Sequence, residues 1–265
     1  MDPDALTPVE RWEAIWLKRD DTFHIGQSRG GKVRTCLHIA AEGKANGGTT
    51  LVTAGSRHSP QVNIVAAVAN HLGMQAECHV PEGPSTPELQ AAEAAGATIV
   101  RHRPGHNSVI VARARTAAER PGCVHIPFGM ETPLAAEYTA KQAGNLPHGE
   151  YRRIVVPVGS GMSLAGVIAG TPDETTIVGV SVGADPTKRL DRYAPMWRFR
   201  DVRMVQSEIP YGKPAPVSRL GDIKLDPIYE AKCLPFLQAD DLFWIVGIRQ
   251  TEQDEIHETK ENKHA

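Results

Sequence analysis

The sequence predicts an α/β protein built on parallel sheet. Short β-branched runs alternate with alanine-rich stretches of helical spacing, the pattern of βαβ units. The 265 residues, at roughly 150 per domain, allow one large α/β domain or two modest ones. The 24 Gly and 20 Pro supply the turns that many short elements need. In chain order, Thr49 to Thr53 reads as a strand ending at Ala54-Gly55. Val62, Val65, Ala66, Ala69 and Leu72 then form one helical stripe that Gly73 stops. Ala76 to Val80 is the next strand, and a helix runs from about Pro87 to Ala95 with Gly96 as its cap. Ala97 to Val100 closes a three-strand unit, and a helix over 108–119 follows. Arg153 to Val158 is a strand running into Gly159-Ser160-Gly161, with helical Leu164 to Ala169 behind it. Ile177 to Val182 is the following strand; from Pro186 to Pro216 no period is visible, and 251–265 reads as a flexible tail.

Composition narrows the function classes. Apolar residues at 41% and charged residues at 23% are ordinary globular usage and argue against disorder. A net charge of -2 means that any contact with nucleic acid would need a local patch. Cys36, Cys78, Cys123 and Cys233 lie far apart with no CxxC, which suits buried thiols in a reducing, cytoplasmic compartment better than zinc. The start Met1-Asp2-Pro3-Asp4 lacks the basic residues of a signal peptide. No apolar run reaches the ~18 residues of a membrane span.

Several motifs come near to known chemistry. Gly26 to Val33 approximates a P-loop, but Val33 stands where Ser or Thr must hold Mg²⁺, and Lys18 to Ile25 is too charged for the buried strand that launches such a loop. Gly161-Met162-Ser163-Leu164-Ala165 approximates a nucleophile elbow, but the histidines downstream are His257 and His264, both in the tail, so a triad has no base. His102 and His106 are four apart, yet Pro104 breaks the helix that would align them on a metal, and they read as surface loop. No metal site is expected. Gly159 to Gly166 joins strand to helix, where unpaired N–H groups and the helix dipole favour an anion; the competing reading is a tight turn with no ligand. Lys32 begins another helical segment, where the dipole disfavours its cation and so favours the neutral amine that Schiff-base chemistry requires. A solvated surface lysine is the ordinary alternative.

Lysine and phosphate loop together are the two anchors of pyridoxal phosphate. Trp16 to Asp21 with Gly30-Gly31-Lys32-Val33-Arg34, then Thr53 to Gly55 with His58-Ser59-Pro60-Gln61 and Val65 to Gly73, then Val158 to Gly166, and finally Leu225 to Lys232 occur in one order. In that order they resemble the fold type II pyridoxal-phosphate enzymes, whose tryptophan synthase β-like fold implies two Rossmann-like parallel-sheet domains with a cofactor cleft between them. The group most similar is that of 1-aminocyclopropane-1-carboxylate deaminase and D-cysteine desulfhydrase. The resemblance implies pyridoxal 5'-phosphate held as an internal aldimine on Lys32. It also implies a phosphate cup of Gly159, Ser160, Gly161, Met162 and Ser163, an active-site Ser59 and a catalytic Tyr229. Reaction on a small amino acid as a lyase or deaminase, and a homodimer, are further implications.

Departures from the family bear on the reaction. Pro60 replaces an asparagine able to reach the phenolic oxygen of the cofactor, leaving Gln61 or Asn63 as substitutes. Gly247-Ile248-Arg249-Gln250 replaces a polar stretch near the pyridine nitrogen; with Arg249 there the ring would stay unprotonated and be a poorer electron sink. The chain is shorter than family members, with reduced connections between 100 and 157 and little after Gln250, which implies a more open cleft. The expected division is a large cofactor-binding domain of 1–47 and 128–250 and a small domain of 48–127.

Lys188, Arg189, Arg192, Arg198, Arg200 and Arg203, interleaved with Tyr193, Trp197 and Phe199, support a rival reading. In it the enzyme is a decarboxylase or lyase acting on an amino-acid-modified base in viral DNA hypermodification. The bland alternative pairs these cations with Asp191 and Asp201. A degenerate relative that binds the cofactor without reacting is the third possibility.

Overall fold

The computed structural model describes residues 1–103 and 105–249. The expected tail of 251–265, with His257 and His264, and also Pro104 and Gln250, lie outside the described residues. The chain divides into two compact units, Met1–Phe23 with Glu131–Ile248, and His24–Met130 with Arg249.

The first unit opens with β1 (Val9–Trp12) and β2 (Ile15–Arg19), an antiparallel pair. Lys18 in β2 is 1% exposed, a buried charge near the end of a strand, while the rest of the charged run from Asp20 onward leaves it. Its ammonium donates to the Thr7 carbonyl and to Gln142 Oε1, each at 2.7 Å, which offsets its lost hydration.

The second unit follows without interruption. A small hairpin, β3 (His24–Ile25) and β4 (Ser28–Gly30), leads into α1 (Gly31–Ala45). The near P-loop is therefore launched by this hairpin. Then come β5 (Thr50–Ala54), α2 (Pro60–Leu72), β6 (Gln75–Pro81), α3 (Pro87–Ala94), β7 (Thr98–His102), α4 (Asn107–Ala118) and β8 (Cys123–Ile126). The four strands form one parallel sheet in the order β7-β6-β5-β8. Parallel pairing needs both faces covered. Val52 and Ala54 meet Ile110 and Ala114 of α4 on one face, while Cys78 and Val80 meet Val62 of α2 and Leu89 of α3 on the other.

The chain returns to the first unit through α5 (Pro133–Gly144), β9 (Arg153–Val158), α6 (Met162–Gly170), β10 (Ile177–Ser181), α7 (Thr187–Tyr193) and β11 (Val202–Gln206). A short pair, β12 (Arg219–Leu220) and β13 (Ile223–Lys224), precedes β14 (Asp241–Ile245). The sheet runs β1-β2-β14-β9-β10-β11, parallel except for β1. Arg153 grips the fully buried Asp241 through Nε at 2.7 Å and Nη2 at 2.9 Å, fixing the register of β9 on β14. Ile154, Val156 and Val158 pack towards α6, and Val155 points to the opposite face with Val178 and Val180.

Two expectations change. Residues 24–47 belong to the second unit, because α1 packs on α2 and β8, so the boundary falls at Phe23 rather than at 47. The aperiodic 186–216 stretch holds α7 and β11; β11 shows no alternation because it is an edge strand, with Arg203, Met204 and Gln206 exposed.

Candidate active site

Parallel α/β sheets place ligands at the carboxyl ends of their strands; Gly159 to Gly161 follow β9 and Ser59 follows β5 at such ends. In the first unit, Gly159 to Gly161 leave β9 and enter α6. Gly161 is left-handed (φ 93°), and no side chain caps the helix or places an acid in its first turn. Its leading N–H groups, with Met162 and Ser163 at the start, are thus left without a side-chain cap, an arrangement that suits an anion. Close approach at Gly159 leaves no room for a side chain: a Cβ there would stand 2.5 Å from Tyr229 Cε1.

Tyr229 is fixed from below by an Asx turn. Asp226 Oδ1 accepts from the N–H of Ile228 at 2.8 Å and of Tyr229 at 3.1 Å. The Tyr229 hydroxyl meets that of Tyr211 at 3.0 Å, the rings standing edge to face. Lys232, 1% exposed, donates to the carbonyls of Pro210 at 2.9 Å and Tyr211 at 3.1 Å and so pins the loop that carries Tyr211.

Glu230, next in sequence, is buried against the residues that follow β14. Its Oε1 accepts from the N–H groups of Val246 and Gly247 at 3.1 and 3.2 Å, and Oε2 has no hydrogen-bond partner among the described residues. Burial and then the neighbouring Asp226 push its carboxyl well above the usual range, against the pull of those N–H groups. Sequence reasoning used the Tyr229 motif and passed over Glu230; the acid directly after the tyrosine was the available signal. Tyr211 lay in the stretch without period and gave none.

In the second unit, Lys32 is the second residue of α1 and half-buried. Gly30, at φ 107°, starts the helix without a side-chain cap, and no acid lies in its first turn. Ser59 caps α2, its Oγ accepting from Gln61 N at 3.3 Å, and Pro60 takes the first helical position, where its missing N–H costs nothing. Gln61 is committed inward. Nε2 donates to Thr53 Oγ1 at 2.7 Å and the Pro127 carbonyl at 2.9 Å, and Oε1 accepts from Gly129 N at 2.6 Å. Both its N–H groups are occupied, so it offers none to a cofactor oxygen. Arg249 Nη1 donates to the His58 carbonyl at 3.4 Å, beside Ser59 in sequence.

A pyridoxal phosphate needs an anion cradle, a polar group for its ring nitrogen and a lysine. In the first unit the uncapped α6 start and the buried Glu230 Oε2, which has no hydrogen-bond partner among the described residues, suit the first two needs; Lys32 belongs to the second unit.

The remaining singled-out residues are occupied elsewhere. Arg189 pairs with Glu131, Arg198 with Asp191 and Arg203 with Asp201, and Arg192 stacks on Tyr193. Arg200 caps the end of α6, donating to the Ile168 carbonyl at 2.8 Å and the Thr171 carbonyl at 3.2 Å. Lys188 lies among them on α7. Four of the six cations are paired within the chain and Arg192 stacks on a ring, so nothing here supports the nucleic-acid reading. His102 is not a loop residue. It ends β7 with Nε2 2.8 Å from His79 Nδ1, and His79 Nε2 meets Glu77 at 2.8 Å. Among the described residues no group of three or more His, Cys, Asp or Glu could hold a metal. No described helix is long and apolar enough to cross a membrane. Cys36, Cys78 and Cys233 are buried free thiols and Cys123 is half-buried; burial pushes the Cys78 thiol up to about 12.

Against known proteins, the family model "Pyridoxal-phosphate dependent enzyme" matches residues 4–204. The nocardicin C-9' epimerase of Nocardia uniformis subsp. tsuyamanensis is 28% identical over 302 aligned positions, covering 92% of this chain and 90% of that protein. Among solved structures, an ACC deaminase homologue matches with TM-score 0.79 at 21% identity, over 92% of this chain and 89% of the other. A fungal L-serine ammonia-lyase from Rhizomucor miehei gives 0.68 at 14%, over 97% and 98%. Maize serine racemase gives 0.66 at 15%, over 98% and 94%. At these identities the structural likeness speaks for the fold alone.

Proposed function

This chain belongs to the family of pyridoxal-phosphate dependent enzymes, and from that premise we propose that it is a lyase or deaminase acting on a small amino acid, with Lys32 as the residue that carries the cofactor. The observation that supports the proposal most is the closure of the Tyr229 ring over Gly159 at the uncapped start of α6. It joins the expected acid to the expected phosphate cradle within one unit. When bound, pyridoxal phosphate supplies an electron sink for a bond broken at the α-carbon. The leading N–H groups of α6 would hold its phosphate. Glu230, with its raised pKa, would meet the ring nitrogen through Oε2, a role the sequence had given to Arg249. The amine of Lys32 would carry the cofactor and move the α-proton. Ser59 would take the substrate carboxylate at the start of α2. Tyr229, its hydroxyl on that of Tyr211, would give or take a proton at the leaving group.

The epimerase relative favours a second reading, in which the α-proton is removed and returned on the other face. Product analysis in deuterated water separates the two. Ammonia with an oxoacid supports elimination, and deuterium in recovered amino acid with inverted configuration supports epimerisation. Weak or no release of 2-oxobutanoate from 1-aminocyclopropane-1-carboxylate is expected in either case, given Pro60.

Borohydride reduction of the protein with its cofactor, followed by peptide mapping, tests the assignment. The label should fall on Lys32 and vanish in Lys32→Ala. A label on another lysine, or none, overturns it.

A further inference from the structure

Five polar side chains of the second unit link α4 to its sheet in one continuous line, and the proposed reaction uses none of them. Arg120, just past α4, donates through Nη2 to Glu77 Oε2 at 2.7 Å. Glu77 Oε1 lies 2.8 Å from His79 Nε2, and His79 Nδ1 lies 2.8 Å from His102 Nε2. Arg113 of α4 donates through Nη1 to His102 Nδ1 at 3.0 Å. Glu77 and His79 stand on the face of the sheet that α4 covers, because their register partners Val52 and Ala54 pack on Ile110 and Ala114. His79 is 4% exposed, His102 half-buried and Arg113 exposed.

Counting protons fixes the state of the line. A guanidinium only donates and a carboxylate only accepts, whereas a neutral imidazole has one donor and one acceptor. Since Arg113 donates to His102 Nδ1, that ring carries its proton on Nε2 and gives it to His79 Nδ1. His79 in turn donates from Nε2 to Glu77. Every link is satisfied with both rings neutral, and a further proton has no place. It would sit either on His79 Nδ1, against His102, or on His102 Nδ1, against Arg113. The second breaks more easily, because exposed Arg113 can turn to water and the sealed His79 cannot. Surrounding groups act in the same sense: burial, then His79 and Arg113, lower the pKa of His102, and Glu82, just after β6, opposes them. Against its burial, Arg120 and His79 lower the Glu77 carboxyl and keep that end an acceptor. Among the other charges nearby, Arg101 of β7 turns to the Gly83 carbonyl and Glu93, Arg103 and His106 lie in the connection to α4, and Arg115 of α4 acts on His125 of β8.

We propose that this line is a proton-operated latch on α4: a proton taken up by His102 expels Arg113 and frees the helix from the edge strand β7. The latch is closed above about pH 6.5, the ordinary histidine value, and opens as the pH falls below it, because the released ring accepts a proton that the latched ring refuses. The helix it holds also backs Val52 and Ala54, whose strand leads to Ser59. Acid therefore loosens the support of that strand.

Amide hydrogen exchange of the protein with its cofactor, at pH 7 and pH 5 and corrected for the intrinsic pH dependence of exchange, tests the latch. Protection over 107–118 should fall at least about tenfold at pH 5, as a group of ordinary histidine pKa that titrates only in the open form requires. Residues 64–72 of α2, on the other face of the sheet, should keep theirs. His102→Gln supplies the same donor and acceptor without titrating, so its α4 should stay protected at pH 5. Arg113→Gln removes the expelled cation; protection of α4 should start lower and change less with pH, and the His102 ring, followed by NMR, should titrate higher than in wild type. The two substitutions lie on different elements, so misfolding of one leaves the other informative. Wild-type α4 that stays protected at pH 5, an equal loss in α2, or a loss that persists in His102→Gln overturns the latch. So does a His102 proton found on Nδ1 at pH 7.

Discussion

Gly159→Ala isolates the contact on which the proposed function leans. A Cβ at residue 159 would lie 2.5 Å from Tyr229 Cε1 and 3.4 Å from its Cδ1 and Cζ. Carbon atoms pack at about 3.5–4.0 Å, so the ring must retreat by roughly 1 Å or more. Overpacking of this kind costs about 1–3 kcal/mol. The retreat also strains the 3.0 Å contact with the Tyr211 hydroxyl, a further loss of about 1 kcal/mol. Together these predict a loss of about 2–4 kcal/mol, or roughly 6–12 °C in thermal midpoint for a domain of this size. Phosphate affinity should fall with it, because the ring and the cradle move together. Thermal and urea unfolding of four proteins complete the measurement: wild type, Gly159→Ala, Tyr229→Ala and the double variant. In the Tyr229→Ala background the colliding atoms are gone, and Gly159→Ala should cost under about 0.5 kcal/mol. Tyr229→Phe keeps Cε1 and should preserve most of the penalty. An equal cost in both backgrounds would refute the contact as the reason for glycine at this position.

Three further outcomes are expected. Gln61→Leu leaves Gly129 N–H and the Pro127 carbonyl without the amide that meets them and should cost about 2–4 kcal/mol in urea unfolding; a loss below about 0.5 kcal/mol would contradict its bracing role. Arg200→Ala uncovers the carbonyls at the end of α6 and should lower stability by about 1–3 kcal/mol, whereas a flattened salt dependence of DNA binding with unchanged stability would restore the nucleic-acid reading. His58, His102 and His125 all have pKa values lowered from 6.5, with burial the first cause in each. The unfolded chain therefore takes up protons more readily, and their part of the stability, present above about pH 6.5, is lost as acid enters the window below it. Unfolding midpoints at pH 7 and pH 5 should converge in His102→Gln relative to wild type; an unchanged difference would show that His102 plays no part.

The βαβ runs were legible because sealed parallel strands must be β-branched and their helices must carry one apolar stripe. Thr50–Ala54 with Val62, Val65 and Ala66, and Arg153–Val158, show this directly. The signal failed where tertiary partners override local pattern. Lys18 reads as solvent-facing until Gln142, 124 positions away, provides its acceptor. The cationic stretch read as a nucleic-acid patch because pairing with Glu131 or with the end of α6 is invisible in one dimension. In the candidate site, the phosphate loop, Lys32, Ser59 and Tyr229 were singled out by motif. Glu230 was passed over although it adjoins the motif tyrosine, because its orphaned oxygen exists only after folding; Tyr211, known by its contact with the Tyr229 hydroxyl, gave no signal at all.

The discontinuity of the first unit sets an order of assembly during synthesis. Residues 24–130 emerge as one stretch with short connections and can close their sheet on the ribosome as soon as they clear it. The strand at Ile15–Arg19 has its parallel neighbour at Asp241–Ile245, and Asp20 waits 224 positions for the indole N–H of Trp244. At about 5–20 residues per second, that delay is roughly 10–45 s. Throughout it the apolar Ile15 and Leu17 stand in nascent chain with only β1 to pair with, the side taken by β14 still open. A cell making this protein must shield that short N-terminal segment, or keep it from pairing with another nascent copy, until the last strand arrives.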